Sequence, residues 1–284
     1  MVHGTTRIIG IIGYPVRHSL SPVMQNSALQ ACGLDYVYVP FEVVPEELGN
    51  AVSGLKALGV SGFNVTIPHK TEVMSFLDEL DQSAESAGAV NTVKNDAGRL
   101  IGYNTDGDGL VRSLMAELEF IPQGASIALV GAGGAARGAI AALCRAGARR
   151  IVIANRTRDK AAALVSLMAD RFPCVEFSTA DDFECLEGCL GEVDLLINTT
   201  SFGMHLDNRR IVCLDNLPPN ARVYDMVYAP PVTSLLRDAE QKGLRHANGL
   251  GMLAAQGELG FTIWTGSMPP KGLMKSVLDS ICHY

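Results

Sequence analysis

A glycine-rich segment between a strand pattern and a helix pattern places the strongest constraint on the fold of this chain. Residues 126–138 have the sequence SIALVGAGGAARG, in which the apolar run Ile127–Val130 predicts a buried strand and the alanine-rich end predicts a helix. Gly131, Gly133 and Ala136 form a G-x-G-x-x-A pattern, which suits a tight turn, a close approach of pyrophosphate to the backbone, and tight helix–strand packing. The positive end of the helix dipole would face the phosphates. The segment therefore predicts dinucleotide binding, with a purely structural turn as the alternative.

The composition limits the class of protein further. Hydrophobic residues make up 48% of the 284 residues, and no apolar run reaches the roughly 18 residues of a membrane span. The net charge of −7 argues against a general nucleic-acid-binding protein, because such proteins are usually basic. Met1–Gly13 lacks the long apolar core of a signal peptide, and the seven cysteines are scattered without metal-ligand spacing. We predict a cytoplasmic protein with free thiols and without a metal, and the sequence leaves a homodimer open.

Strand and helix patterns alternate along the chain, which is typical of an α/β protein with a mainly parallel sheet and right-handed crossovers. The length suggests about two domains. We predict a first domain over residues 1–105 and a dinucleotide-binding domain over residues 106–248. Residues 249–284 contain two helix patterns without a strand between them, so they cannot extend a sheet. We expect these helices to cross back over the first domain, which would make it discontinuous and leave a cleft between two lobes.

Individual elements follow from periodicity and from turn residues. In the first third, the predicted strands are Arg7–Gly13, Tyr36–Phe41, Ser61–Ile67 and Ala89–Lys94, and the predicted helices are Ser21–Cys32, Pro45–Leu58, Glu72–Leu80 and Asp106–Leu118. After the glycine-rich unit, the predicted strands are Arg150–Ala154, Cys174–Phe177, Val193–Asn198 and Arg222–Val227. Residues 203–220 are polar and contain proline, and they predict a surface loop.

The residues after the second strand of the dinucleotide unit discriminate between cofactors. An NAD site usually has Asp or Glu at this strand end, whereas the 2′-phosphate of NADP requires a cation. The strand that ends at Ala154 continues as NRTRDK, without an acid at the strand end. The clustered side chains suited to a phosphate are Asn155, Arg156, Thr157, Arg158 and Lys160. The alternative is an ordinary helix start with Thr157 as N-cap, but cations at a helix N-terminus oppose the helix dipole. We therefore predict NADP, with NAD as the alternative.

Polar side chains cluster in four stretches of the first domain, each of which follows or overlaps an end of a predicted strand. These stretches are Gly13–Asn26, Asn64–Lys70, Gly88–Thr92 and Tyr103–Gly107. Ligands of open α/β sheets bind outside the carboxyl ends of the strands. The neutral groups are Ser19, Ser21, Asn64, Thr66, Asn91 and Thr105, and the strong charges are Lys70 and Asp106. This inventory predicts a small polyhydroxylated acid as ligand, whereas His18 and His69 are interpreted as structural.

Short motifs that run through the whole chain also carry a family resemblance. In the first domain they are HSLSP at His18–Pro22, NVTIPHK at Asn64–Lys70, AGAVNT at Ala87–Thr92 and GYNTDG at Gly102–Gly107. Further on they are GAGGAARG at Gly131–Gly138, NRT at Asn155–Thr157, YDMVYAP at Tyr224–Pro230 and NGLGMLAAQG at Asn248–Gly257. In this order, from about residue 10 to residue 265, the chain resembles the shikimate dehydrogenase family.

The resemblance implies reversible reduction of 3-dehydroshikimate to shikimate by NADPH, in the pathway to chorismate and the aromatic amino acids. It implies a substrate domain over residues 1–105, completed by 249–284, and a Rossmann-like NADP domain over 106–248. Lys70 and Asp106 would be the catalytic pair. Substrate would be bound by Ser19, Ser21, Asn64, Thr66, Asn91, Gln256 and, across the cleft, Tyr228. The pyrophosphate would be held by Gly131, Gly133, Gly134 and Ala135, and the nicotinamide side would be lined by Thr199, Met226, Gly249 and Met252.

Two positions depart from the pattern of many shikimate-specific members. Tyr14 and Gln25 stand where those members have Asn and His. At both positions the chain resembles the branch of the family that also oxidises quinate. The sequence therefore leaves open a quinate/shikimate dehydrogenase that uses NAD. A non-catalytic NADP-binding regulator is a further alternative, although a regulator would have no need of the Lys70 and Asp106 pair.

Overall fold

A computed structural model describes residues 2–204 and 210–282 and forms two compact units. The first unit comprises the chain up to Gly109 together with Ala254–Ile281, and the second comprises Leu110–Leu253. Each unit is built around one six-stranded sheet with helices packed on it. The predicted α/β class is confirmed. No helix in the described ranges is long and apolar enough to cross a membrane.

The sheet of the first unit contains three parallel and two antiparallel pairings. Its strands are β1 Arg7–Gly13, β2 Tyr36–Glu42, β3 Gly62–Val65, β4 Glu79–Leu80, β5 Thr92–Asp96 and β6 Arg99–Tyr103. Their order is β2-β1-β3-β5-β6-β4. The central β1 runs parallel to both β2 and β3, so the carboxyl ends of these three strands lie at one edge of the sheet. That edge is where the predicted polar stretches begin.

Along this part of the chain, the helices α1 Ser21–Ala31, α2 Leu48–Ala57 and α3 Gln82–Ala87 belong to the first unit. The next helix, α4 Asp106–Leu118, begins in this unit and buries Leu110, Leu114 and Leu118 in a core cluster of the second unit. The prediction of one helix over Glu72–Leu80 is wrong. Residues Glu72–Phe76 form a 3₁₀ helix, and the chain then joins the sheet as β4. Asp78 binds Leu100 twice: its N–H donates to the Leu100 carbonyl at 3.0 Å, and its carboxylate accepts from the Leu100 N–H at 2.7 Å. These contacts with a distant strand override the local helix pattern.

The sheet of the second unit is entirely parallel. Its strands are β7 Ser126–Val130, β8 Arg150–Ala154, β9 Glu176–Ala180, β10 Leu195–Asn198, β11 Arg222–Asp225 and β12 Arg245–Asn248, in the order β12-β11-β10-β7-β8-β9. The helices are α5 Gly134–Arg145, α6 Arg158–Arg171, α7 Phe183–Cys189 and α8 Ser234–Gln241. The chain moves away from β7 in both directions, so the carboxyl end of β7 lies at the topological switch point, where such sheets bind ligands.

Both faces of this second sheet are covered by apolar side chains. Ile127 and Leu129 of β7 face one core cluster, and Ala128 and Val130 face the other, as the alternation of a strand requires. The surface loop predicted over residues 203–220 lies partly outside the described residues. For its described end the prediction is wrong, because Ile211, Val212, Leu214 and Leu217 are buried in the second cluster. The segment is polar overall, but its few apolar residues help to cover one face of the second sheet.

The chain ends with two helices, α9 Leu250–Thr265 and α10 Leu273–Cys282. Trp264 of α9 donates its indole N–H to the carbonyl of Val93 in β5 at 2.9 Å. Its ring lies against Gly62 of β3, where a Cβ would collide with it. The glycine at position 62 is therefore required by close approach, and the distant C-terminal helix covers the sheet of the first unit.

Candidate active site

Lys70 and Asp106 form an ion pair in the first unit. Lys70 lies in the turn after β3, Asp106 is the first residue of α4, and Lys70 Nζ is 2.6 Å from Asp106 Oδ2. The two side chains are 19% and 13% exposed, so a small ligand could still reach them. Asn91 Nδ2 donates to the other carboxylate oxygen, Asp106 Oδ1, at 2.9 Å. The structure thus brings together three residues that the sequence placed in separate motifs.

The turn that carries Lys70 is anchored by its neighbour His69. The imidazole of His69 is fully buried, and its Nε2 lies 2.7 Å from the carbonyl of Val43. Because a carbonyl can only accept, Nε2 carries the hydrogen. The His69 backbone N–H donates to Thr66 O at 3.0 Å, and the Lys70 carbonyl accepts from Val90 N at 2.7 Å. The structural role predicted for His69 agrees with these contacts, which fix the base of the Lys70 side chain.

Asn91 makes several hydrogen bonds within the protein. Its Oδ1 accepts from the backbone N–H of Thr105 at 2.7 Å, and its Nδ2 faces both Thr105 Oγ1 and Asp106 Oδ1 at 2.9 Å. Gln256 Oε1 of α9 lies 3.5 Å from the same nitrogen. Asn91 is only 3% exposed. Its amide therefore connects the predicted substrate residue Gln256 with the Lys70–Asp106 ion pair and orients the Asp106 carboxylate.

The remaining predicted substrate residues of this unit lie at the carboxyl ends of β1 and β3. Ser19 Oγ accepts from the backbone N–H of Ser21 at 3.3 Å, just where α1 begins. Asn64 of β3 is buried, whereas Thr66 is half-buried and donates its backbone N–H to Ile12 O at 2.9 Å. Hydroxyl and amide groups thus surround the edge of the sheet from which Lys70 projects.

The glycine-rich turn of the second unit has the geometry that the motif predicts. Gly131 has a φ of +116°, and its N–H donates to Ala154 O at 2.8 Å. A Cβ at Gly131 would collide with the hydroxyl of Thr199, which donates to Val130 O at 2.8 Å. Glycine is therefore needed here for backbone conformation and for strand contact. This packing also explains why Thr199 lies beside the turn.

The start of α5 is open for a ligand. Gly133 is the N-cap residue, and glycine has no side chain that could cap the helix. Apart from the adjoining residues and the backbone of the helix itself, no described atom lies within 4 Å of the place a Cβ would occupy at Gly133 or Gly134. Ala135 follows in the first turn and is half-buried. Backbone N–H groups and the positive end of the helix dipole therefore face a space that an anion could enter.

The predicted phosphate cluster lies at the start of α6. Asn155 donates its side-chain N–H to the carbonyl of Thr157 at 2.9 Å, which holds the turn after β8. Thr157 occupies the N-cap position, but its hydroxyl caps no backbone N–H of the described chain. The alternative role as a simple N-cap therefore does not describe its side chain. The exposed cations of this turn are Arg156, Arg158 and Lys160, and Arg158 lies 3.9 Å from Asp182. These features fit a dinucleotide that carries a ribose phosphate.

The residues predicted to line the nicotinamide side lie at the ends of β10, β11 and β12. Met226 donates its N–H to Asn198 O at 3.0 Å, and the Met226 carbonyl fills the place of a Cβ at Gly249. Met252 follows in the first turn of α9, and Tyr228 is half-buried. Burial raises the pKa of Tyr228, so its hydroxyl remains protonated at neutral pH.

A buried carboxylate in this region was missed by the sequence reasoning. Asp225 is fully buried at the end of β11 and accepts three hydrogen bonds: from Asn198 Nδ2 at 2.8 Å, Val227 N at 3.0 Å and Thr233 Oγ1 at 2.6 Å. Burial raises the pKa of Asp225. The sequence did contain a signal for it, because the acid stands at the end of a buried-strand pattern, YDMV. Burial of a carboxylate costs free energy unless the carboxylate is hydrogen-bonded. Asp225 holds the segments that carry Thr199 and Met226.

Three family models match successive parts of the chain. The model described as "Shikimate dehydrogenase substrate binding domain" matches residues 11–93. "Shikimate / quinate 5-dehydrogenase" matches residues 115–215, and "Shikimate 5'-dehydrogenase C-terminal domain" matches residues 249–278.

Full-length relatives give the same result. A Geobacter sulfurreducens protein named shikimate dehydrogenase (NADP(+)) is 52% identical over 276 residues, which cover 97% of this chain and 96% of the relative. A crystal structure of a shikimate dehydrogenase in complex with NADP+ has a TM-score of 0.91 at 43% identity and covers 99% of this chain and 98% of that chain. The Listeria monocytogenes shikimate 5-dehydrogenase, solved with shikimate and NAD, also has a TM-score of 0.91, at 38% identity with 98% of each chain covered.

Proposed function

This chain belongs to the shikimate dehydrogenase family, and on that premise we propose how its residues carry out the reaction of the family. It is an NADP-dependent oxidoreductase that interconverts shikimate and 3-dehydroshikimate, the step that feeds chorismate and aromatic amino-acid biosynthesis. We assign substrate binding to residues 1–105 with 249–284, and cofactor binding to residues 106–248. The observation that carries the assignment of chemistry is the Lys70 Nζ–Asp106 Oδ2 contact of 2.6 Å.

The reaction requires an acceptor for one proton. When an alcohol is oxidised, the carbinol carbon loses a hydride and the hydroxyl loses a proton. NADP supplies the hydride chemistry when it is bound. The proton must go to a protein group within hydrogen-bond reach of the hydroxyl, and we assign that role to Lys70 Nζ, which accepts the proton as a neutral amine and becomes the ammonium. Asp106 orients Lys70 and the reacting hydroxyl, and Asn91 in turn orients Asp106. In the direction of reduction, the Lys70 ammonium stabilises the developing alkoxide and then protonates it.

The neutral groups around the pair suit the rest of the substrate. We assign Ser19 and Ser21 to the carboxylate, since both hydroxyls lie at the start of α1. Hydrogen bonds to the ring hydroxyls are assigned to Asn64, Thr66, Asn91, Gln256 and Tyr228. No side chain in this set carries a net charge, so the substrate is positioned by hydrogen bonds while the charged pair is kept for proton transfer.

The residues of the second unit suit NADP. The pyrophosphate is assigned to the turn at Gly131, Gly133, Gly134 and Ala135, and the 2′-phosphate to the turn at Asn155, Arg156, Thr157, Arg158 and Lys160. The nicotinamide is assigned to Thr199, Met226, Gly249 and Met252. Support comes from the open start of α5 and from the exposed cations at the start of α6.

Side-by-side steady-state assays test this function. Purified protein is offered shikimate or quinate with NADP+ or NAD+, and formation of the reduced nicotinamide is followed. We expect the highest kcat/KM with shikimate and NADP+. Higher kcat/KM with quinate and NAD+ would favour the quinate-oxidising alternative, and tight NADP binding without turnover would favour the regulator. The full-length relatives named for NADP+ and shikimate do not favour either alternative.

Two finer assignments are also part of the proposal. A cytoplasmic location is supported by the seven free cysteines, because thiols persist in a reducing compartment. We propose a homodimer because two-fold dimers are the commonest assemblies of soluble enzymes. Cell fractionation and light scattering of the purified protein test these two points.

A further inference from the structure

The hydroxyl of Tyr38 lies between two of the residues assigned to substrate. Tyr38 belongs to β2 and is only 2% exposed. Its O–H donates to Asn64 Oδ1 at 2.7 Å, and the Ser21 side chain is hydrogen-bonded to the same phenol oxygen. One buried oxygen thus connects the start of α1 with the end of β3. Tyr38 belongs to none of the motifs that drew attention in the sequence.

The position of this hydroxyl is fixed from three sides. Asn26 of α1 binds the Tyr38 backbone twice: Tyr38 N donates to Asn26 Oδ1 and Asn26 Nδ2 donates to Tyr38 O, both at 2.9 Å. The Tyr38 ring lies 6.0 Å from the Trp264 ring, centroid to centroid, at an interplanar angle of 50°. In the sheet, Tyr38 is paired with Ile9 of the central strand β1. The ring therefore has little freedom to move its hydroxyl.

The contacts of Asn64 settle which way its amide points. Asn64 Nδ2 lies 3.0 Å from both the Asn91 carbonyl and Thr92 Oγ1. Because a backbone carbonyl can only accept, the nitrogen must face it, and the oxygen must face Tyr38. Both amide hydrogens are then used within the protein. What Asn64 can offer a ligand is the second lone pair of Oδ1, an acceptor for a substrate hydroxyl.

The Tyr38 hydroxyl also positions the Ser21 hydroxyl, which can donate to an anion. The single hydrogen of Tyr38 is directed at Asn64, so the Ser21 O–H donates to the phenol oxygen. The Ser21 hydrogen can turn towards an arriving carboxylate by rotation about one bond, without movement of the ring. Burial raises the pKa of Tyr38 well above its ordinary value, so it remains a donor to Asn64 across the neutral and mildly alkaline range.

We propose that Tyr38 is a positioning residue for the substrate, which fixes Asn64 Oδ1 as an acceptor and places the Ser21 hydroxyl beside it. Tyr38 thereby sets the spacing between the group that receives the substrate carboxylate and the group that receives a ring hydroxyl. The inference rests on the assignment of Ser21 and Asn64 under the proposed function.

The test is Tyr38→Phe, which removes one oxygen and keeps the ring against Trp264. Tyr36→Phe is the matched control, because Tyr36 lies two residues away on β2 with the Arg7 guanidinium 4.9 Å above its ring. We expect Tyr38→Phe to lower kcat/KM for shikimate roughly 5- to 100-fold, chiefly through KM, because it leaves a buried acceptor unsatisfied and removes one of the contacts that hold the Asn64 amide in place. NADP affinity should stay close to the value of Tyr36→Phe, and the urea midpoint should fall only by the amount expected for one lost buried hydrogen bond.

A double-mutant cycle with Asn64→Ala separates positioning from a structural role. If Tyr38 acts through Asn64, the losses of the two single variants should not add in the double variant. Additive losses, a Tyr38→Phe enzyme within twofold of wild type, or an equal loss of NADP affinity would overturn the inference. A Tyr38→Phe chain that does not fold would do the same, because the hydroxyl would then serve the fold. If wild type fails to oxidise shikimate, the proposed function itself fails, and this outcome is distinct from the others.

Discussion

Asn91 Nδ2 donates to Asp106 Oδ1 at 2.9 Å and so leaves Asp106 Oδ2 to Lys70 Nζ, 2.6 Å away. The two oxygens of one carboxylate thus have separate tasks. One is held by an amide that is itself fixed by the Thr105 backbone at 2.7 Å, and the other holds the ammonium. This arrangement gives Lys70 a defined direction, which a surface lysine lacks.

Replacing Lys70 with Ala should reduce the turnover number about 10²- to 10⁴-fold, because it removes the group to which we assign proton transfer. The KM for shikimate should change only modestly, since the contact strengthens in the transition state. Asp106→Asn should have a milder effect and alter the pH profile. The measurement is kcat at saturating shikimate and NADP+, with Lys56→Ala as control, because Lys56 is paired with Asp78 on the surface. A Lys70→Ala enzyme within a few-fold of wild type would assign proton transfer elsewhere.

Replacing Arg156 with Ala should raise KM for NADP+ about tenfold or more and leave KM for NAD+ nearly unchanged. The guanidinium would bind the 2′-phosphate, which NAD lacks, through charge-assisted hydrogen bonds. Arg112→Ala provides the control, because Arg112 is an exposed arginine of α4. Equal losses with both cofactors would contradict the assignment of the phosphate to the turn after β8.

Replacing Ser19 or Ser21 with Ala should weaken shikimate binding and leave NADP affinity intact, since each hydroxyl would donate to the carboxylate. A loss of about threefold to tenfold in shikimate affinity is expected for each hydrogen bond. Ser86→Ala serves as control, because the Ser86 hydroxyl donates to the carbonyl of Gln82 one turn earlier on α3, at 2.6 Å. Shikimate methyl ester should bind wild type more weakly than shikimate does, and equal binding would count against a carboxylate site here.

Replacing Asp225 with Asn should change how stability depends on pH. Burial raises the pKa of Asp225 in the folded chain above its ordinary value of 3.8. The folded state therefore retains the proton longer than the unfolded state, and wild type loses stability as pH rises from the unfolded pKa through the folded pKa. The free energy of unfolding of wild type relative to Asp225→Asn should accordingly fall as pH rises above the ordinary pKa of 3.8.

Urea unfolding at several pH values measures this difference. Asp215→Asn is the control of opposite sign, because a hydrogen bond from Lys242 lowers the pKa of Asp215. Asp215 thus contributes stability above its unfolded pKa, and this contribution is lost as pH falls through the folded pKa. A wild-type advantage over Asp225→Asn that grows with pH would contradict the buried, costly carboxylate.

Local sequence patterns predicted the structure correctly where the backbone conformation or the adjacent residues require one type of residue. The turn at Gly131, the strands β1 and β8, and helix α4 were predicted within a residue or two, because tight turns and apolar runs are properties of adjacent residues. The basic turn at Arg156 was visible for the same reason. Its cations follow one another along the chain.

Contacts between residues far apart in the chain leave no local sequence pattern from which they could be predicted. Glu79–Leu80 became a strand because Leu100, about twenty residues away, supplied hydrogen bonds that a helix could not match. Tyr38 looked like an ordinary strand aromatic until the fold placed its hydroxyl against Asn64, and Asp225 looked like a strand-end acid until Thr233 and Asn198 surrounded it. The sequence by itself determined which strands and turns could form and which chemical groups were present. Only the tertiary structure decided which of those groups hold one another, because a buried hydrogen bond is made by direction and distance in space rather than by order along the chain.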